Sequence, residues 1–301
     1  MPSLSAKAYA KINWDLHILG KRPDGFHELD TVMVNVSLHD VLEFQSADRI
    51  SLRCSDPTLP TDDGNLVVRA AKLLAKASGY RGGAAISLQK NIPAGGGMGG
   101  GSSDAACTLK SLNQLWELNW SAEQLQPLAA ELGSDIAHFL YGGWTRCRGR
   151  GEIVEPLAIL RNSANFAVPL LLIVPPWPVA TPSVYKRLKH DLWDRKSKLR
   201  NLTDLTSSLV STVNSIQTGK LSELGLSNDL IHAAVEVEPR LGSLQSFLSE
   251  RYPSRWLMSG SGSVHFVIPV NAGNDDLILK ETLSSQFGVG IRVHSATTYS
   301  S

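Results

Sequence analysis

Six glycines fall within seven positions in Gly95-Gly96-Gly97-Met98-Gly99-Gly100-Gly101, and Ser102 and Ser103 follow. Each glycine loses more backbone freedom on folding than any other residue, so such a run needs a use that outweighs its cost. An anion cradle is one. Backbone N–H groups with no side chains in the way can approach phosphate oxygens, and the helix N-terminus beyond adds about half a positive charge. A triphosphate is the expected ligand. A flexible linker is the plainer alternative, but linkers do not normally stand between a strand and a capped amphipathic helix. Gly95-x-Gly97-x-x-Gly100 matches the dinucleotide fingerprint as any glycine-saturated loop does, without the N-terminal βαβ setting. No Gly-Lys-Ser/Thr follows, which excludes a Walker A loop.

Two charged residues could act on what the cradle holds. Lys11 falls on the polar face of the first strand, where an ordinary exposed lysine is the default, and Asp135 stands where a helix N-cap would. Brought together, an ammonium and a carboxylate could orient a hydroxyl and offset charge on a transferred phosphoryl group. Phe26, His27 and Tyr185 are candidates for stacking on a base and reading its edge. Core or surface aromatics are the competing account.

These residues need elements to position them. Strict alternation over 6–18 predicts a half-buried strand, and Gly20-Lys21-Arg22-Pro23-Asp24-Gly25 a chain reversal. A strand pair is expected at 31–37 and 41–44, then a helix over 66–77 closed by Gly79. A short strand at 85–90 runs into the glycine loop. Beyond it Leu109, Leu112 and Trp116 repeat at helical spacing behind Ser102-Ser103-Asp104, whose side chains suit an N-cap region. Ser121 and Gln124 form a capping box, Pro127 should kink or split that helix, Gly133 ends it, and Ser134-Asp135 opens a short helix to Leu140. Residues 159–165 are polar and aperiodic, which suggests two domains, 1–164 and 165–301. The second should be α+β: a strand at 170–174, helices at 203–215 and 230–249, strands at 256–258 and 264–268. The basic run from Lys186 to Arg200 reads as a solvated face.

Composition narrows the class. The chain has 301 residues, 29 Lys+Arg against 28 Asp+Glu, and 43% hydrophobic residues, so it is neither disordered nor fibrous. A net charge of +1 provides no global pull toward nucleic acid or an anionic membrane, and neither partner is expected. Apolar strings such as Val168-Pro169-Leu170-Leu171-Leu172-Ile173-Val174 are too short to span a bilayer. The first residues lack a signal-peptide core, and Cys54, Cys107 and Cys147 form no Cys-x-x-Cys pair; a cytoplasmic location without structural zinc is expected.

In order along the chain, the motifs resemble those of the GHMP kinases, which use a glycine-serine loop in place of a Walker A loop. The run from Pro93 to Ala106 looks like that family's central motif, and Met258-Ser259-Gly260-Ser261-Gly262-Ser263 like its C-terminal glycine motif. Ala10-Lys11-Ile12-Asn13, Arg22-Pro23-Asp24-Gly25-Phe26-His27-Glu28-Leu29, Leu132-Gly133-Ser134-Asp135-Ile136, Thr181-Pro182-Ser183-Val184-Tyr185 and Asn228-Asp229-Leu230 are most similar to members acting on a cytidine diphosphate conjugate of methylerythritol.

The resemblance implies an α+β fold of two domains, a ribosomal-protein-S5-like one followed by a ferredoxin-like one, with the site between them. It implies ATP and Mg²⁺, and phosphorylation of the 2-hydroxyl of that conjugate on the non-mevalonate route to isoprenoid precursors. Asp135 then matches the catalytic aspartate and Lys11 its partner. Asn13 and Thr181 belong to the substrate site, Phe26 and Tyr185 sandwich the cytosine, and His27 reads its edge. Pro93, Ala94, Gly95, Gly96, Gly97, Met98, Gly99, Gly100, Gly101, Ser102 and Ser103 hold the ATP phosphates, with Asn65 near the adenine and Gly260 and Gly262 packed behind. Metal ligands stay open, Ser102 and Ser103 being candidates. The chain departs from the usual pattern at Phe26 (often tyrosine), at Trp144, Arg146 and Arg148 (usually small), and at His265 (usually apolar). Another GHMP kinase acting on homoserine, mevalonate or a sugar would keep the loop without the stacking pair; a non-catalytic nucleotide-binding module and, more remotely, a Rossmann oxidoreductase are the other readings.

Overall fold

The computed structural model describes residues 2–161, 167–188, 200–221, 224–270, 275–288 and 290–299. The alternating segment is a strand, β1 (Ser3–Lys21), paired antiparallel with β2 (His27–Ala47). Its polar face is not half wet as expected: Lys11, Asn13 and Asp15 are all buried. β2 is one continuous strand rather than a pair. The polar stretch around Asp40 that suggested a break is accommodated by a register irregularity between Tyr9 and Lys11, and Asp40 is sealed in as an acceptor for the amides of Asn91 and Ile92.

β3 (Ser51–Cys54) pairs parallel with β4 (Gly83–Gln89), on either side of α1 (Leu66–Ser78). α1 begins at Asn65, whose Oδ1 accepts from the Val67 amide at 2.9 Å, and ends at left-handed Gly79. α2 (Gly100–Leu115) starts inside the glycine run, with Gly99 as N-cap and no side-chain cap. Ser102 and Ser103 therefore lie in its first turn, with Asp104 just beyond it, and none of them at an N-cap. α3 (Ala122–Leu132) has the expected capping box and runs unbroken through Pro127. That proline is on the exposed side, where a carbonyl left without a donor can turn to water.

α4 (Ile136–Tyr141) leads into β5 (Trp144–Gly149), β6 (Ile153–Pro156) and α5 (Ala158–Arg161). The expected domain boundary falls partly on residues 162–166, outside the described set. β7 (Pro169–Val174), α6 (Thr181–Lys186), α7 (Leu202–Gln217) and β8 (Ser227–Asn228) follow. Where one helix was expected over 230–249 there are two, α8 (Ile231–Val237) and α9 (Arg240–Arg251). Glu238 is extended because Pro239 clashes with a helical residue before it. β9 (Trp256–Met258), β10 (His265–Val267), α10 (Asp275–Phe287) and β11 (Arg292–Tyr299) complete the chain.

The strands run in the order β3-β4-β2-β11-β7-β10-β9, with β1 and β5 also on β2. The last strand thus joins the two halves of the sequence. Ala10, Ile12 and Trp14 from β1 share one apolar cluster with Leu170, Leu172 and Phe266, and Trp14 lies 5.9 Å from Phe266 and 5.1 Å from Trp144 between ring centroids. The bulk of Trp144 is therefore absorbed in the core. Of the basic run, 189–199 lies outside the described residues, but Arg200 is engaged by Asp15 and Asp30 and is not solvated as expected. No helix among the described residues is long and apolar enough to cross a membrane.

Candidate active site

One cavity of about 1060 Å³ is lined by Lys11, Asn13, Phe26, His27, Asn65, the run from Pro93 to Ser102, Asp135, Thr181, Tyr185 and Gly260. Of the expected site residues only Ser103 and Gly262 are off its wall. Ser103 is buried and donates to the Tyr9 carbonyl oxygen at 2.7 Å. Gly262 lies behind the loop: a Cβ at Gly97 (φ +77) would sit 2.8 Å from the Ser259 carbonyl oxygen and 3.0 Å from that of Gly262. The two glycine motifs, far apart in sequence, are thus packed backbone to backbone. The Val264 amide donates to the Gly96 carbonyl at 3.2 Å and the Lys11 amide to that of Met98 at 3.0 Å, which stitches the loop to β1 and to the chain before β10.

At the cavity floor the Lys11 ammonium stands 3.4 Å from Asp135 Oδ2 and donates to Asn13 Oδ1 at 2.7 Å. Lys11 is 3% exposed, so the exposed-lysine default does not apply. Asp135 occupies the N-cap position of α4 but its carboxylate caps nothing, which leaves it for the cavity. Asn13 is held from both sides, its Nδ2 donating to Thr31 Oγ1 at 2.9 Å and its amide to Ser259 Oγ at 3.2 Å. This arrangement can hold a hydroxyl between a carboxylate and a cation.

On the other wall the Tyr185 and His27 rings lie 5.2 Å apart at 34°. Burial, then the charge of Lys21, lowers the His27 pKa, so the imidazole is presented neutral. Burial, then the nearby Asp135 carboxylate, raises that of Tyr185 and keeps its phenol protonated. Phe26 is 52% exposed, with the Arg150 guanidinium 4.9 Å from its ring centroid. Thr181 Oγ1 is 2.8 Å from Ser261 Oγ, tying this wall to the second glycine motif. The Asn65 side chain is committed to its cap and, through Nδ2, to the Pro60 carbonyl at 2.8 Å.

Sequence reasoning missed four cavity cations and one acid. Lys21, Arg150, Lys90 and Lys186, the last read as part of a solvated face, line the wall, and Lys90 lies between Asp40 and Asp104, 2.8 Å from the latter. Burial raises the Asp104 pKa to about 7 against the pull of Lys90, and the Asp40 charge pushes the same way as burial. The position of Lys90, at the end of a strand that feeds a phosphate-type loop, was the available signal.

Comparison with known proteins bears directly on this geometry. Residues 65–143 match the family model described as GHMP kinases N terminal domain. The chain is 37% identical over 265 residues to a 4-diphosphocytidyl-2-C-methyl-D-erythritol kinase of Thermodesulfovibrio yellowstonii, covering 87% of this chain and 88% of the relative. The enzyme of that name from Pelotomaculum thermopropionicum is 40% identical over 270 residues, with the same coverage. The chain belongs to this family of GHMP kinases. A crystal structure of 4-(cytidine 5'-diphospho)-2C-methyl-D-erythritol kinase superimposes with a TM-score of 0.77 at 30% identity, covering 98% of each chain. A homoserine kinase from Cytophaga hutchinsonii shares the fold, at a TM-score of 0.69 and 20% identity, over 100% of this chain and 95% of the other. The fold is accordingly the α+β fold of GHMP kinases, and the chain is a small-molecule kinase that uses ATP.

Proposed function

We propose that this GHMP kinase transfers the γ-phosphoryl group of ATP to the 2-hydroxyl of 4-diphosphocytidyl-2-C-methyl-D-erythritol, on the non-mevalonate route to isoprenoid precursors. The supporting observation is that a single cavity joins the glycine loop, the Lys11–Asp135 pair at 3.4 Å, and the Phe26, His27 and Tyr185 wall. The triphosphate lies along the loop amides and the first turn of α2. The cytosine is clamped by Phe26 and Tyr185 and read by neutral His27, with Asn13 and Thr181 on the rest of the acceptor. Asp135 orients the 2-hydroxyl and takes its proton as the new O–P bond forms and the bond to ADP breaks, a role worth about 10²–10⁴-fold. Lys11 offsets the charge that gathers on the oxygens in flight.

Mg²⁺ would accompany the nucleotide. Among the described residues no group of three His, Cys, Asp or Glu could hold a metal ion. The cavity does offer the Ser102 hydroxyl and Asp104, whose buried Oδ1 has no hydrogen-bond partner. Those oxygens suit an ion that keeps several waters and leans on the phosphates, where it would neutralise charge. We also read 1–164 as the nucleotide-binding unit and 165–301 as the second unit, since both contribute cavity walls.

ADP release should depend on the cytidine diphosphate conjugate and be far slower with free methylerythritol phosphate, and CMP should compete. Equal rates with both acceptors would overturn the assignment in favour of another GHMP kinase. Asp135→Asn and Lys11→Met should each lower kcat by at least about a hundredfold in folded protein. Near-normal turnover in either would remove that residue from the mechanism.

A further inference from the structure

A cluster of four charges that the proposed reaction does not use lies behind β1. Asp15, Asp30 and Arg146 are 4%, 0% and 3% exposed. Arg200 donates from Nη1 to Asp15 Oδ2 at 2.6 Å, from Nη2 to Asp15 Oδ1 at 3.2 Å and from Nε to Asp30 Oδ2 at 3.0 Å. Arg146 takes Asp30 in a fork at 2.9 and 3.0 Å and donates to the Arg200 carbonyl at 2.7 Å. Burial opposes a charged Asp30, but the two guanidiniums win and hold its pKa at about 2. Stability is a poor sole account of such a cluster, because well-packed apolar residues of similar volume are often as stabilising or more so.

From Asp15 the contacts lead to the reacting pair. The β1–β2 register slips between Asn13 and Asp15, leaving Trp14 as the extra residue of a bulge. Asp15 closes that bulge: its Oδ1 accepts from the Val32 amide at 2.8 Å, and its carbonyl accepts from Thr31 Oγ1 at 2.5 Å. Thr31 Oγ1 in turn accepts from Asn13 Nδ2, and Asn13 Oδ1 accepts from the Lys11 ammonium. Asp15, Thr31, Asn13 and Lys11 are all buried, which limits competition from water for these bonds.

We propose that Arg200 is a positioning residue for phosphoryl transfer: by pinning Asp15 it fixes the bulge at Trp14 and, through Thr31 and Asn13, aims the Lys11 ammonium at Asp135. The proposal rests on the reading of Lys11 and Asp135 as the reacting pair, which their own variants test separately. A lysine has many rotamers and needs a fixed acceptor to hold one. A bulge re-aims the side chains beside it, and a misplacement of about 1 Å can cost about a hundredfold in rate.

The test compares Arg200→Met, Lys11→Met and the double variant in the full chain, with ATP and the cytidine diphosphate acceptor, after thermal melts confirm folding. Arg200→Met should lower kcat by about ten- to a hundredfold and leave both KM values within about threefold. In the Lys11→Met background the same substitution should change kcat by less than about threefold, because its route of action is gone. If Arg200→Met does not fold, Asp15→Ala and Asp15→Asn decide. The amide keeps the acceptor for Val32 but gives up the shorter of the two bonds from Arg200, so its kcat should fall between those of the parent and of alanine. Normal kcat in folded Arg200→Met, an equal loss in both backgrounds, a change confined to KM, or parent-like kcat in Asp15→Asn would overturn the proposal.

Discussion

The glycine run at 95–101 and the shorter one at 260–262 differ in what surrounds them. A Cβ added at Gly95 would meet nothing within 4 Å, and that residue is exposed at the cavity wall. Residues 259–263 are all buried, and a Cβ at Gly262 would sit 2.9 Å from Met258 Sδ, one at Gly260 3.3 Å from Asn13 Oδ1. At Gly95 the first run leaves space for a ligand, whereas Gly96 and Gly99 are packed, a Cβ there meeting Val264 Cγ2 at 2.7 Å and Phe139 Cζ at 2.8 Å. The second removes bulk so that β1 and the cradle can close on each other. Gly97 belongs to both, since the atoms it must clear are main-chain oxygens of the other run. Identical composition therefore carries two different physical requirements, and substitution separates them.

The largest effect is expected at Gly97. Alanine there would be strained by the positive φ, about 1–2 kcal/mol, and would press on backbone that cannot swing aside, about 1–3 kcal/mol more. Gly97→Ala should lose about 3 kcal/mol of stability in denaturant melts and raise KM for ATP at least about tenfold. Wild-type stability in this variant would mean that the two runs do not touch.

A pH difference should single out the buried run. His265 Nδ1 donates to the Ser263 carbonyl at 2.9 Å, and its Nε2 accepts from Gln245 Nε2 at 3.2 Å. Burial lowers its pKa to about 4, only partly offset by the bond to Ser263. The folded chain thus prefers the neutral ring, while the unfolded chain takes up the proton near pH 6.5. This contribution is whole above about pH 6.5 and drains as pH falls toward 4. Between pH 7 and 4.5 the parent chain should lose about 2 kcal/mol more than His265→Gln. Parallel losses in the two proteins would show that His265 charges without cost.

How legible each region was follows from where its constraints lie. The glycine loop and the β1 alternation could be read because their causes are neighbours in sequence: strand, glycines and helix in one unit. The burial of Lys11, Asn13 and Asp15 could not. A period of two says only that they share a face, and what covers that face, Ser259 and Arg200, lies 246 and 185 residues away in the two contacts concerned. β5 was missed because Arg146 and Arg148 make it look polar, although Asp30 and Glu155 pair with them. The break between α8 and α9 was visible in Pro239 and was overridden by a helical pattern that continues on both sides.

The smallest effects discriminate best between space kept for a ligand and space kept for packing. Gly95→Ala should cost about 1 kcal/mol from φ alone, since the new methyl touches nothing. Gly101 is different: it has no positive φ, lies in the first turn of α2, and its Cβ would make an ordinary 3.6 Å contact with Leu66 Cδ1. Packing gives no reason for glycine there, and helix propensity favours alanine by up to about 1 kcal/mol. Gly101→Ala should therefore raise the melting temperature slightly while raising KM for ATP by about two- to fivefold, as the methyl stands where phosphate oxygens approach the helix N-terminus. Opposite signs in one variant are what a cradle requires, because a purely structural glycine cannot make the protein more stable and the nucleotide weaker at once. A gain in stability with unchanged nucleotide affinity would move the phosphates away from Gly101 and toward the left-handed turn at Gly95.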